Sequence, residues 1–133
     1  MSPHDASPSL PIVAFIGGGN MARSLIGGLL QAGASPARVR VAEPVAALRD
    51  ALAGDFGVQV FPDAAAAATG ADVWVLAVKP QVMRDVCATL APIAQGQQSL
   101  AVSIAAGITS AQIDHWLGGG IAVVRRMPNT PAL

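Results

Sequence analysis

The sequence predicts an α/β fold, a doubly wound parallel sheet, on three observations. Short apolar segments rich in β-branched residues alternate with helix-periodic segments along the whole chain. The connections between them are short, which makes each pair a βα unit. In Val73-Trp74-Val75-Leu76-Ala77-Val78 both alternating faces are apolar, as a parallel strand buried under helices on both sides requires.

The elements follow in order. Leu10 to Ile16 is an apolar run from which a strand over Ile12–Ile16 is expected, and Met21, Leu25, Gly28 and Leu29 then recur at helical spacing, giving a helix over Asn20–Ala32. Gly27-Gly28 inside it costs about 1 kcal/mol per glycine relative to alanine, and close approach to the sheet or to another domain would explain the pair. Further strands are expected at Arg38–Ala42, Val58–Phe61, Asp72–Val78, Ser99–Ile104 and Ala122–Arg126, and further helices at Val45–Phe56, Asp63–Thr69, Gln81–Ala94 and Thr109–Leu117. Asp63 is placed to cap the alanine-rich helix, and Thr109 with Gln112 has capping-box spacing. Residues 1–9, with two prolines and no cationic run, read as a disordered start and fail as a secretory signal. Residues 10–126 form the domain, and 127–133 leave the last strand as a passage into something further.

Between the first strand and the first helix stands Gly17-Gly18-Gly19-Asn20-Met21-Ala22. Strand, glycine turn and helix are the context in which G-x-G-x-x-A reads as a dinucleotide site. Gly17 makes the tight turn, Gly19 admits a pyrophosphate to the backbone, and Ala22 takes the third position, where close packing of helix on strand is needed. The helix N-terminus adds unpaired N–H groups and the positive end of its dipole. Glu43 closes the next strand, 21 residues after Ala22, where a carboxylate serves as acceptor for a ribose 2′-hydroxyl. An ordinary surface glutamate is the alternative, and the turn upstream favours the binding role. The fold class is therefore a sheet of the Rossmann type.

Composition narrows the function. Hydrophobic residues make up 53% and charged residues 12% of 133, with eight basic against eight acidic. No basic patch argues for nucleic acid and no acidic block for a tail. The uncharged stretch after Cys87 carries Pro92, Gly96 and glutamines, unlike a membrane span. Cys87 is the single cysteine, which excludes an intrachain disulfide and reads as buried filler in a reducing cytoplasm. No His, Asp or Glu group has metal spacing, and no serine sits in a nucleophile elbow. His115, beside Trp116, has no spaced partner.

Ligands of such sheets bind outside the carboxyl ends of the strands, and three segments lie there. Ala77-Val78-Lys79-Pro80 holds the only lysine, with Pro80 keeping Lys79 extended. Ser103-Ile104-Ala105-Ala106-Gly107 has small side chains against which a flat ring could lie. Arg126-Met127-Pro128-Asn129-Thr130-Pro131 reads by composition alone as a linker, although Asn129 offers both donor and acceptor. No residue is a convincing proton donor; Lys79 is the candidate, with a cofactor-orienting role favoured.

Taken together and in this order, these segments resemble pyrroline-5-carboxylate reductase. The matching pieces are Phe15 to Ala22, Ala77 to Pro80, Ser103 to Ile108 and Arg126 to Leu133, so the resemblance spans Ile12 to Leu133 and turns the last segment from linker into site. It implies an NADPH- or NADH-dependent enzyme that reduces the C=N bond of 1-pyrroline-5-carboxylate to L-proline. It also implies a helical second domain, absent from this chain, that builds a homo-oligomer and supplies most substrate contacts. By position, Ile16, Gly17, Gly18, Gly19, Asn20 and Met21 cradle the pyrophosphate. Ala77, Val78, Lys79, Pro80, Ala105, Ala106 and Gly107 line the path to the nicotinamide, with Asn129 near the ring. One departure stands out. Where NADPH-preferring members have small polar or basic residues, this chain has Glu43-Pro44, which tilts the expectation toward NADH. The rivals are another imine or β-hydroxy-acid reductase of the same superfamily and a non-catalytic nucleotide-sensing module.

Overall fold

The computed structural model describes residues 10–126. Six strands, β1 (Val13–Ile16), β2 (Val39–Ala42), β3 (Gln59–Phe61), β4 (Val73–Leu76), β5 (Leu100–Ser103) and β6 (Val123–Arg125), form one sheet in the order β3-β2-β1-β4-β5-β6. Every neighbouring pair is parallel. The helices are α1 (Asn20–Gln31), α2 (Ala46–Phe56), α3 (Ala64–Ala68), α4 (Pro80–Gln97) and α5 (Ser110–Trp116). The doubly wound sheet read from the sequence is the sheet observed.

Alternation along the strands divides the core in two. Ala14, Ile16, Trp74, Leu76 and Ala101 face the side covered by α3, α4 and α5, where Met83, Cys87, Leu90 and Ile113 pack against them. Phe15, Val39, Val41 and Val75 face α1 and α2, with Ala22, Ile26 and Leu52. Three helices cover one face and two the other, so the coverage is uneven. Val102 pairs in register with Val75 and Val124 with Val102, so these residues share the α1 face. Beside them lies an open groove of about 690 Å³ lined by Leu25, Gly28, Leu29, Val102 and Ile104. Gly28 has no described neighbour within 4 Å of a side-chain position, and Gly27 faces the Phe56 ring at 3.7 Å. Gly27 thus meets α2 rather than the sheet, and Gly28 opens onto the groove.

Most differences from the sequence reading lie at element ends and have local causes. Arg38, expected in a strand, closes a 3-10 turn over Pro36–Arg38, begun by Pro36 and by the Ser35 hydroxyl accepting from the Ala37 N–H. β4 stops at Leu76 rather than Val78 because its partners end there, Ile16 on one side and Ser103 on the other. α4 starts one residue early, with Pro80 in the first turn, and runs three residues past Ala94. Its last turn is held by Gln97, whose Nε2 donates to the carbonyls of Ala68 and Ala71 and to the Ser99 hydroxyl. Asp63 caps α3, and Thr109 with Gln112 makes both bonds of the capping box, as the spacing predicts.

Trp74 is fully buried, and its indole N–H donates to the Ala68 carbonyl at 3.0 Å. Trp74→Phe is expected to destabilise the chain by about 1–3 kcal/mol in urea unfolding, through lost volume and a lost buried hydrogen bond. Val102→Lys, on the uncovered half of the sheet, is expected to cost less than about 1 kcal/mol in the same assay.

Candidate functional site

Strand order reverses between β1 and β4, the two central strands, and the glycine turn sits at that point. Gly17 has φ +107°, and a Cβ there would lie 2.8 Å from the Ala77 carbonyl oxygen and 3.0 Å from its carbon. Only glycine fits, because both its conformation and its space exclude a side chain. The Gly17 N–H donates to the Ala42 carbonyl at 2.9 Å, and the Ala77 N–H donates to the Ile16 carbonyl at 2.8 Å. The turn is thereby bonded to the ends of both neighbouring strands.

Gly19 is the N-cap of α1 and has no side-chain cap. A Cβ at Gly19 would meet nothing within 4 Å. The N–H groups of Asn20, Met21 and Ala22 open the helix and have no acceptor within it. No acidic side chain stands in this first turn, so the helix end itself favours an anion. Asn20 and Met21 are exposed, whereas Ala22 is buried against Phe15 and Val41 in the α1 core. The open space at Gly19, the unpaired N–H groups and the close-packed Ala22 fit a pyrophosphate.

The other segments reach the same edge. Lys79 is the N-cap of α4, with φ −63° and ψ 148°, so Pro80 does hold it extended. Lys79 and Pro80 are exposed, and Ala77 and Val78 are half-buried. At the end of β5 the buried Ser103 hydroxyl accepts from the Ala105 N–H at 3.3 Å, and Ala106 and Gly107 are exposed, Gly107 with φ +81°. Asn129 and the rest of the Met127–Leu133 segment lie outside the described residues.

Glu43, the acceptor expected for a ribose hydroxyl, is not an ordinary surface glutamate. It is 7% exposed. Its Oε1 accepts from the Gly18 N–H at 3.1 Å and its Oε2 from the Val45 N–H at 2.9 Å. Pro44, next to it, is exposed. Arg49 reaches back from α2, its Nη1 donating to the carbonyls of Glu43 and Pro44 at 2.8 and 2.9 Å. Arg40, the other cation near this strand, turns away and donates to the carbonyls of Ala67 and Thr69. Sequence reasoning missed the part of Val45 and Leu52 here. Leu52 is an α2 core position whose Cδ1 would sit 2.9 Å from a Cβ at Gly18, and no periodicity argument links it to that turn.

Among the described residues no three His, Cys, Asp or Glu side chains gather as metal ligands, and no helix is long and apolar enough to cross a membrane. Cys87 lies in the core, and burial pushes its thiol up to about 11.

Sheet order, switch-point turn and helix N-terminus define this as a Rossmann-type domain, the architecture that dinucleotide enzymes use. The chain belongs to the family described as NADP oxidoreductase coenzyme F420-dependent, whose model matches residues 12–107. It is 53% identical over 125 residues to a pyrroline-5-carboxylate reductase of Pseudomonas aeruginosa, a match covering 94% of this chain and 45% of that one. A solved pyrroline-5-carboxylate reductase from Coxiella burnetii superposes with a TM-score of 0.89 at 40% identity, over 92% of this chain and 46% of that one. The fold is shared with a Plasmodium falciparum pyrroline carboxylate reductase solved with NADP bound, at 23% identity and a TM-score of 0.77, over 91% of this chain and 43% of that one. The chain thus spans under half the length of the relatives it matches.

Gly17→Ala is expected to destabilise the chain by about 2–4 kcal/mol in thermal or urea unfolding, because both strain and a backbone clash must be relieved. Cys87 is expected to resist a thiol-specific reagent at pH 8, where a group titrating near 11 stays protonated, and to react at the rate of unfolding.

Proposed function

We propose that this chain is the cofactor-binding part of a pyrroline-5-carboxylate reductase, which transfers hydride from NAD(P)H to the C=N bond of 1-pyrroline-5-carboxylate and yields L-proline. The observation that carries this reading is the glycine turn at the switch point, open at Gly19 and closed at Gly17, in a chain 53% identical to a reductase of that name.

In this reading the N–H groups of Asn20, Met21 and Ala22 take the pyrophosphate, Gly19 lets it approach, and Ala22 holds α1 against β1. Ile16 to Met21 form the cradle, and Glu43 with Pro44 borders the adenosine ribose. Ala77, Val78, Lys79 and Pro80 carry the dinucleotide across β4. Ala105, Ala106 and Gly107 back the nicotinamide, with Asn129 beside it. The reduced nicotinamide supplies the hydride, and the protein contributes position and exclusion of water. The Lys79 carbonyl accepts from the Val82 N–H, while its ammonium is left to orient the cofactor rather than to donate a proton. Substrate contacts and homo-oligomer assembly come from a helical domain beyond these residues, and the enzyme works in the cytoplasm, which the unpaired, buried Cys87 suits.

The finer reading is a preference for NADH. A buried carboxylate at the end of β2 repels a 2′-phosphate, and Arg40, committed to α3 carbonyls, does not offset it. Titration of the chain with NADH and NADPH, followed by tryptophan fluorescence, is expected to give saturable binding, with NADH tighter by about tenfold. Equal or tighter NADPH binding overturns the preference and keeps the dinucleotide reading. Gly19→Ala is expected to fold as the wild type and to lose about tenfold in affinity for either cofactor, since its methyl group enters the space where the pyrophosphate approaches. In the intact enzyme, turnover of pyrroline-5-carboxylate but not of other imines or β-hydroxy acids separates this assignment from its nearest rival.

A further inference from the structure

The glycine turn contains one more glycine than a G-x-G-x-x-A motif demands, and the structure gives the reason. The middle residue, Gly18, is buried. A Cβ on it would lie 3.1 Å from the Glu43 Cβ and 3.2 Å from Glu43 Oε1. Glu43 is also the only charged side chain buried among the described residues. A carboxylate out of water is costly unless it accepts hydrogen bonds, and both of its oxygens do so, each from a different loop. Oε1 takes the Gly18 N–H of the β1–α1 turn, and Oε2 takes the Val45 N–H of the β2–α2 loop. Arg49 holds the second loop through its carbonyls, so that loop is bound at its N–H by one side chain and at its C=O groups by another.

We propose that Glu43 is a positioning residue as well as a neighbour of the ribose: its carboxylate braces the glycine turn against the β2–α2 loop, so that the pyrophosphate cradle is already shaped before a dinucleotide arrives. This rests on the dinucleotide reading above and extends it. The brace acts through the backbone of Gly18, upstream of the amides that meet the phosphates, and it works whether or not the ligand carries a 2′-hydroxyl. A Cβ at Gly18 would meet Leu52 Cδ1 at 2.9 Å and crowd Glu43 at 3.1–3.2 Å, so a side chain there displaces both neighbours and presses on the carboxylate.

The test compares wild type with Glu43→Gln and Glu43→Asp in the full chain. Gln keeps the shape but offers one oxygen and two donors to a pair of N–H groups. Asp keeps the charge but is shorter by one methylene group. Amide hydrogen exchange without ligand is expected to show Gly18 and Val45 protected in the wild type. Each variant loses about tenfold or more of that protection at one or both amides, while Val75 in the sheet stays unchanged. Unchanged protection at both amides overturns the brace. Affinities are then measured for NADH and for its 2′-deoxyadenosine form. A brace weakens the 2′-deoxy form by about tenfold and NADH by at least as much, in either variant. An effect on NADH alone means that Glu43 acts only on the ribose and overturns the proposal. Failure of the wild type to bind either ligand overturns the dinucleotide reading, and the exchange data decide the brace regardless. If the Gln variant does not fold, the Asp variant carries both measurements, because it preserves the charge that the site already accommodates.

Discussion

The close approach of β1 to β4 is the constraint around which the rest of the domain is arranged. The pairing of the two central strands ends at Ile16 and Leu76, and the backbone of Gly17 turns against the Ala77 carbonyl with no room for a single added carbon. That contact sets the direction in which α1 departs, and hence the side of the sheet that α1 covers. It also leaves the open space in front of Gly19. From there the consequences spread outward. α1 packs through Ala22 and Ile26 onto Phe15 and Val41, and α2 follows with Leu52 beneath the turn. Arg23 of α1 pairs with Asp55 and lies 4.9 Å above the Phe56 ring, joining the two helices at their outer edge.

Buried polar side chains are few among the described residues, and two polar side chains join loops that the sheet alone does not connect. Gln97 gathers Ala68, Ala71 and Ser99 at the amino-terminal edge of the sheet, and Glu43 gathers Gly18 and Val45 at the carboxyl edge. Both residues satisfy backbone groups that would otherwise be stranded where water is scarce. No buried side-chain nitrogen or oxygen among the described residues lacks a partner. A core this apolar tolerates such groups because every one of them is bonded.

Much of this was legible in the chain itself, for identifiable reasons. Parallel strands covered on both faces write themselves as unbroken apolar runs, and Val73 to Val78 is the plainest. Caps at Asp63 and Thr109 are local chemistry, readable without the fold. The positions of Gly17, Gly19 and Ala22 follow from the motif and its setting between a strand and a helix. What stayed hidden depends on tertiary contact. Strand ends are set by neighbours, so β4 stops two residues short of its apolar run. The bonds of Glu43 to Gly18 and Val45 join residues that no periodicity connects, so the burial of its carboxylate could not be read from the strand pattern. The Gly27-Gly28 pair was ambiguous in sequence because its two members do different things, one meeting the Phe56 ring and the other opening onto the groove.

The pairing of β1 with β4 also bears on how the molecule is made. Val13 is paired with Val73, 60 residues later in the chain, whereas β2 and β3 are nearer neighbours in sequence. Closing a loop of that length costs conformational entropy before any contact repays it. During synthesis β1 emerges long before β4 exists to receive it, so its only earlier partner is β2. The glycine turn takes its final shape only when Ala77 has left the ribosome. The cradle therefore forms only after the first four strands have been made, and a ligand for it stabilises a sheet in which β1 and β4 are already paired.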